Sequence, residues 1–488
     1  MSGVYRLARS LRSPWDRLPA GGLGRNAAKL MTGTAVGQLL LILASPVLSR
    51  MYGPGEFGAL AVYSGILSIL TVAASLRYEA AIPVAENDET AKDLLVGSLL
   101  LAACVAGLVG LTTVLIRPLL RHSVPLEPFL PFLWILPVGV WGAGTFQAAN
   151  AWAVRTKAFG DLARTRIGQN AVQVGIQLAG GVLGLGGIAL LLGDAVGRSV
   201  GGPVLLLRAL RGGRWRRPLG GLRRAAIEYR RYPAVLLGAG LLNIAALNAP
   251  LLLLPAFFGV DAVGSYFFAY RIVVLPASLL GAAAGQVFFG EAAALGRHNP
   301  ALRGLVTRVV VGLLAVNLPV YAFLALLGPK AFAIAFGSGW ESAGAFAQIL
   351  APMVLVWSLA NPLSPLLVVG DRLKESLAFT VVELAVKVAA ILGGGLFHSL
   401  RLAVVLLSIG GLLLSLVSVW RFTRVSGLNA AVLRWAVTRI IAPTVPLLAL
   451  AYVVLAMAPT MGGLALSVAL GGVALVAGLR LSRAGVAP

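Results

Sequence analysis

The chain has 488 residues, of which 59% are hydrophobic and only 12% charged, and its formal net charge is +23. So little polar material leaves no segment in which a sizeable soluble domain could form, and any function must be built inside a bilayer. The excess of Arg and Lys does not point to nucleic acid, because it sits at the ends of apolar stretches and in short loops rather than on a basic face interleaved with aromatics.

Residues 1–29, with Arg6, Arg9, Arg12 and Arg17, form a basic tail before a full-length apolar span that lacks a small-residue cleavage pattern, so the tail and span read as a retained signal anchor. Fourteen apolar stretches follow, each near the ~20 residues that cross a ~30 Å hydrocarbon core. They lie at 30–49, 58–76, 94–116, 129–149, 169–187, 188–207, 234–255, 265–290, 305–327, 345–369, 377–397, 402–420, 437–457 and 463–480. The fifth and sixth are divided at Gly184, Gly186 and Gly187, because one helix over that whole stretch would overshoot the bilayer. Loops that stay in the cytoplasm carry the excess of Lys and Arg. With the N-terminus inside, the cytoplasmic segments hold 32 of the 40 Lys and Arg, nine of them between Arg208 and Arg231. Merging the two spans would send that nine-arginine loop outside. The expectation is an all-α, polytopic membrane protein with both termini cytoplasmic.

The chain also repeats itself. Tyr52-Gly53-Pro54-Gly55-Glu56-Phe57-Gly58, between spans one and two, is echoed by Phe258-Gly259-Val260-Asp261-Ala262-Val263-Gly264, between spans seven and eight. Gly160-Asp161 is echoed by Gly370-Asp371, at an offset of 210 against 206 for the first pair. Six spans per unit is an even number, so the copies run parallel, related by an axis along the membrane normal. This predicts two pseudo-symmetric six-helix lobes, at 30–207 and 234–420, joined by a basic cytoplasmic linker at 208–233. Two appended helices and a cytoplasmic tail fill 421–488. Parallel lobes around a cleft are the plan of an alternating-access transporter.

Enzyme chemistry has no foothold in the residues. His122, His298 and His398 are far apart, no Cys or His pair has metal-ligand spacing, and no Gly-rich loop precedes Lys-Ser or Lys-Thr. No cofactor and no metal are predicted. The lone Cys104 excludes internal disulfides, and the acidic run Glu86, Asp88, Glu89, Asp93 reads as a solvated face.

Ionisable residues at membrane depth are costly, so each must be paired or functional. Asp194 and Arg198, and Glu383 and Lys387, are four apart and can neutralise each other on their own helices. Arg271 has no acid within four residues on its helix; it either snorkels to the interface or serves as a hook for an anionic ligand. Ser278 and Gln286 continue its face of span eight, Gln169, Gln173 and Gln177 step along span five, and Thr34, Gln38 and Ser45 along span one. Such amides and hydroxyls suit sugar hydroxyls and, equally, hydrogen bonds between helices.

The run Ser49-Arg50-Met51-Tyr52-Gly53-Pro54-Gly55-Glu56-Phe57-Gly58, then Leu76-Arg77-Tyr78-Glu79-Ala80-Ala81-Ile82-Pro83, resembles Wzx-type polysaccharide flippases. So does Tyr270-Arg271 followed by Gly285-Gln286-Val287-Phe288-Phe289. These flippases share the MOP superfamily with MATE-type exporters and lipid II flippases. The resemblance implies a cationic cavity between two lobes and the flipping of an undecaprenyl-pyrophosphate-linked oligosaccharide for O-antigen, capsule or exopolysaccharide synthesis. Membrane lipids, and a polysaccharide polymerase or other assembly proteins, would be its partners. By position, Arg271 matches a basic cavity residue of the eighth helix, and Arg50, Arg77 and Glu79 match the first-lobe pattern. With Gln286, Ser278, Gln38 and Gln173 they make up the expected substrate site. Two other readings stand beside this one. A MATE-like drug exporter would need an unpaired carboxylate, commonly in the first helix, where span one has none. A polymerase or ligase of the same pathway would carry a large periplasmic loop, whereas the long charged loop here is predicted cytoplasmic.

Overall fold

A computed structural model of the protein describes residues 22–120, 132–211, 221–295, 301–363, 373–426 and 430–484. The N-terminal part of the basic tail, the arginines of 212–220, His122, His298 and the Gly370-Asp371 half of the second echo lie outside the described residues, as does the side chain of Gln286.

Fourteen helices of twenty or more residues run through the described residues: α1 (Gly22–Met51), α2 (Pro54–Ala73), α3 (Asp88–Leu120), α4 (Ile135–Arg155), α5 (Phe159–Val182), α6 (Gly187–Arg211), α7 (Gly238–Phe258), α8 (Val260–Leu295), α9 (Ala301–Phe336), α10 (Glu341–Ala360), α11 (Leu373–Leu396), α12 (Leu400–Ser426), α13 (Ala430–Met457) and α14 (Met461–Ala484). A short helix, Leu222–Glu228, lies in the linker between α6 and α7. Eleven stretches are long and apolar enough to cross a membrane, and Met461–Ala474 of α14 is a shorter apolar helix. Two helices fall short of that criterion because of polar residues, among them Gln147 and Asn150 in α4, and Arg164, Arg166 and three glutamines in α5. The protein is thus all-helical and multi-pass.

Local chemistry sets the breaks. α2 starts with Pro54 in its first turn, where a missing N–H costs nothing, and the Glu56 carboxylate accepts a hydrogen bond from the Gly53 amide (2.7 Å). The chain reverses between α5 and α6 at Gly184 and Gly186, both at positive φ, where the glycine run divides the two stretches.

The packing repeats with the helix order. α1 packs on α5, α5 on α6, α4 on α6, α3 on α4 and α2 on α4; six helices further on, α7 packs on α11, α11 on α12, α10 on α12, α9 on α10 and α8 on α10. The reversals repeat as well. Leu183, Gly184 and Leu185 donate their amides to Ala179, Gly181 and Gly180, and Phe397, His398 and Ser399 donate theirs to Gly393, Gly395 and Gly394, an offset of 214 throughout. His398 (φ 50°) adopts the left-handed backbone that Gly184 (φ 68°) adopts in the first copy. α13 and α14 pack on each other and on α9.

The lobes meet where α2 crosses α8, and the two sequence echoes face each other there. A Cβ on Gly58 would lie 2.0 Å from the Val260 carbonyl oxygen, and one on Gly264 would lie 1.7 Å from that of Pro54. Only glycine permits that approach, and the two glycines occupy the same place in their repeats. Around the crossing Phe57, Phe268, Phe336 and Trp340 are all buried, with ring centroids 4.2–5.2 Å apart. The Phe57–Phe268, Phe57–Trp340 and Phe268–Phe336 pairs are edge-to-face, and such pairs add ~0.5–1.5 kcal/mol each beyond the area they bury. Trp340 donates its indole N–H to the Ser49 carbonyl (2.8 Å), and Ser49 donates its hydroxyl to the Phe336 carbonyl (3.0 Å), so this end of the molecule is closed.

Candidate functional site

Behind the crossing, α5, α6 and α8 bring their charges towards one place. On α6, Arg198 pairs with Asp194 at 2.8 Å, the neutralisation that their spacing predicts. The Asp194 side chain is 7% exposed, whereas 41% of the Arg198 side chain is accessible, so the ion pair borders an open cleft on its arginine side. Arg271 on α8 feels both Asp194 and Arg198 across that cleft and makes no direct ion pair or hydrogen bond among the described residues. Arg166 on α5 feels Arg198 and lies over the Phe146 ring, 4.7 Å from its centroid. Tyr63 on α2, fully buried with no hydrogen-bond partner for its hydroxyl among the described residues, also feels this pair. Among the described residues only Arg198 of these three arginines has a carboxylate partner, so positive charge is in excess here and an anion would offset it.

The glutamine stripe of α5 has another place. Gln169, Gln173 and Gln177 are buried in the α5–α6 seam, set against Gly201, Gly197 and Gly193. Gln169 donates to the Arg198 carbonyl (3.0 Å) and Gln177 to the Leu190 carbonyl (3.0 Å). Gln173 reaches Asp194 Oδ1 at 3.4 Å, so it steadies the carboxylate from behind and does not line the cleft. Tyr52 ties the repeat motif to the same seam by donating to the Gln177 carbonyl at 2.5 Å. Its burial, and the nearby Glu56, push its pKa up, so the hydroxyl keeps its proton for that bond.

The remaining expected site residues are dispersed. Arg50 donates to the carbonyls of Pro46 (2.7 Å) on its own helix and Ile334 (3.3 Å) on α9, so it bridges the lobes at the closed end rather than facing the cleft. Arg77 and Glu79 pair with each other (3.6 Å) beyond the far end of α2, where Arg77 is left-handed (φ 67°) and its guanidinium abuts Gly240 of α7. Glu79 is buried and accepts the Ser75 hydroxyl (2.5 Å). Ser278 turns its hydroxyl back to the Leu275 carbonyl (2.9 Å), and Gln38 is half-buried with no partner for its side-chain oxygen among the described residues. Thus the structure brings Arg271 to the central charges and sets Arg50, Arg77 and Glu79 at the two ends of the lobe contact.

A cavity of about 450 Å³ opens inside the second lobe between α7, α8, α10, α11 and α12. Glu383 and Lys387 stand in its wall, paired at 2.7 Å, with Lys387 also donating to the Ala246 carbonyl of α7 (2.8 Å). Tyr266 and Tyr270 of α8 stack side by side along it, with centroids 6.0 Å apart.

The family model for polysaccharide biosynthesis proteins matches residues 47–345, more than half of the chain. The chain belongs to this family. The polysaccharide biosynthesis protein is 26% identical over 165 residues to the lipopolysaccharide biosynthesis protein WzxC of Escherichia coli (strain K12), and the match spans about a third (34%) of each chain. Two solved structures share its fold. One, the lipid II flippase MurJ in an inward closed conformation, superposes with a TM-score of 0.66 at 10% identity, over 92% of this chain and 98% of its own. The other, a multidrug resistance MATE family transporter of the MOP superfamily in an inward-facing conformation, gives 0.62 at 15% identity, over 82% and 96%. In this polysaccharide biosynthesis protein, sequence reasoning misses Arg198 and Arg166 as site residues. Its own-helix acid accounts for Arg198, and a place in a loop accounts for Arg166. The available signal is spacing, since Arg166, Gln169 and Gln173 follow one another at three and four residues on one face of α5.

Proposed function

We propose that the protein flips an undecaprenyl-pyrophosphate-linked oligosaccharide from the cytoplasmic to the periplasmic leaflet of the bacterial inner membrane, by alternating access of its two lobes. The observation that carries the reading is the central charge cluster: Arg198 pairs with Asp194 in one lobe, Arg271 from the other lobe lies within electrostatic reach of both, and Arg166 adds a further positive charge beside Arg198. A pyrophosphate crossing a low-dielectric core needs basic partners, while a polyprenyl tail can remain in lipid throughout. Arg271 is the first headgroup ligand, with Arg198 released to it as Asp194 rotates between partners. By sequence spacing Ser278 and Gln286 on the helix of Arg271, and Gln38 on α1, are the further candidates for the headgroup. Arg50, Arg77, Glu79 and Gln173 act through lobe contact and support rather than by touching the headgroup.

The arginine-rich loops mark the cytoplasmic side, so that fourteen crossings keep both termini inside. α4 and α5 cross despite their polar residues because those residues turn towards protein. The division into a basic tail (1–29), two lobes (30–207 and 234–420), a basic linker (208–233) and a final helix pair with its tail (421–488) follows the repeat. The Gly58–Gly264 crossing then lies at the periplasmic end, and its parting is the outward step. The protein works by transport rather than catalysis, and hands its cargo to a polymerase or ligase.

The test is the leaflet location of lipid-linked oligosaccharide in cells depleted of the protein. Complete repeat units retained on the cytoplasmic face, with surface polysaccharide lost, are expected. Units accumulating on the periplasmic face would indicate a polymerase or ligase instead, and an unchanged lipid pool would restore the small-molecule exporter.

A further inference from the structure

The second-lobe cavity is lined by none of Arg271, Arg198 and Arg166, and it has the features of a binding chamber. Its volume of about 450 Å³ is large enough for one or two sugar rings and falls within the ~300–1,000 Å³ of ordinary small-molecule sites. Trp357 and the stacked Tyr266 and Tyr270 give it flat apolar faces. Asn243 and Asn361 line it, and neither side-chain amide makes a hydrogen bond among the described residues, so both have their donors and acceptors to offer. Glu383 and Lys387 add an ion pair that only a hydrated or polar occupant tolerates. A polyprenyl tail would strip the water from that pair and use none of these groups.

A sugar fits on both counts: its C–H face stacks on aromatic rings, and its hydroxyls both donate and accept. α8 joins this chamber to the central charges. Arg271 turns to Asp194 and Arg198 in the first lobe, while its neighbour Tyr270 lines the chamber and feels Glu383 there. A ligand whose anionic group lies at Arg271 and whose next unit is a sugar can therefore reach both sides of one helix.

We infer that the second-lobe cavity is a carbohydrate subsite, holding the sugars next to the pyrophosphate while the central arginines hold the pyrophosphate itself. The inference rests on the function proposed above and goes further in assigning recognition of the sugar to one lobe.

Binding to the purified full-length protein in nanodiscs tests it with two probes: undecaprenyl pyrophosphate, and the same lipid carrying its oligosaccharide, extracted from the producing cells. The sugar-bearing lipid should bind about tenfold more tightly, the worth of one or two net hydrogen bonds. Trp357→Leu and Asn361→Ala should each remove most of that preference and leave the affinity for the sugar-free lipid unchanged, whereas Arg271→Ala should weaken both. A preference that survives both cavity variants, or equal binding of the two lipids by the unaltered protein, overturns the subsite and leaves the flippase reading standing. Binding of neither lipid by the unaltered protein overturns the flippase reading itself.

Discussion

In the first lobe, Gln169, Gln173 and Gln177 close the α5–α6 seam against Gly201, Gly197 and Gly193. In the second, the positions 214 residues on are Glu383, Lys387 and Ile391, set opposite Ser415, Gly411 and Leu407, and all of these but Ile391 line the cavity of about 450 Å³. The backbone of the two copies agrees down to the hydrogen bonds of their reversals, and the Gly180–Ala189 contact recurs as Gly394–Ala403. Duplication has therefore kept the helix frame, and side-chain size and charge along one seam decide whether a lobe is sealed or hollow. Glycine lets the glutamine amides reach helix carbonyls and fills the gap with polar contacts. Replacing those amides with an acid and a base requires water or a polar ligand nearby, because two charges in a dry seam would not recover their desolvation.

The largest effect should come from the charge that links the lobes. Arg271→Ala is expected to reduce surface polysaccharide at least ~100-fold in a complementation assay at unchanged protein level, since losing a charged hydrogen-bonding partner inside a low-dielectric site costs roughly 3 kcal/mol. Arg271→Lys should restore part of the activity as a point charge without the guanidinium fork. Full export by the alanine variant would remove Arg271 from the site.

On the sealed side, Gly197→Ala places a Cβ 2.8 Å from Gln173 Cβ and 2.9 Å from the Gln169 carbonyl oxygen. Neither can yield without moving α5, and overpacking of this kind costs ~1–3 kcal/mol, visible as a lower melting temperature in detergent. At the matching position in the hollow lobe, Gly411→Ala meets the Met353 thioether, the far end of a flexible chain beside open space. It should cost less than about 1 kcal/mol. Equal losses at the two positions would show that the seams do not differ as described.

The smallest effect concerns the reversals. His398 holds a left-handed backbone where the first copy has glycine, so His398→Gly should stabilise by about 1 kcal/mol, and Gly184→Ala should cost a similar amount. Thermal unfolding of the two variants reads both signs.

Local spacing determined much of this protein. The helices, the reversal at Gly184 and Gly186, and the Asp194–Arg198 and Glu383–Lys387 pairs could be read from the chain, because apolar length, glycine and i,i+4 geometry act within one helix. The echo at Gly58 and Gly264 was also legible, although its use as the crossing point of the lobes was not. Which way each polar face turns was decided only by the tertiary structure. Gln173 went to a helix seam, Arg50 to a carbonyl of the opposite lobe, and Arg166 to the central charges. In a bilayer the outer surface and the packed interior are both apolar, so hydrophobic periodicity does not tell one face of a helix from another. Only the neighbouring helix assigns a glutamine to a seam or an arginine to a cleft.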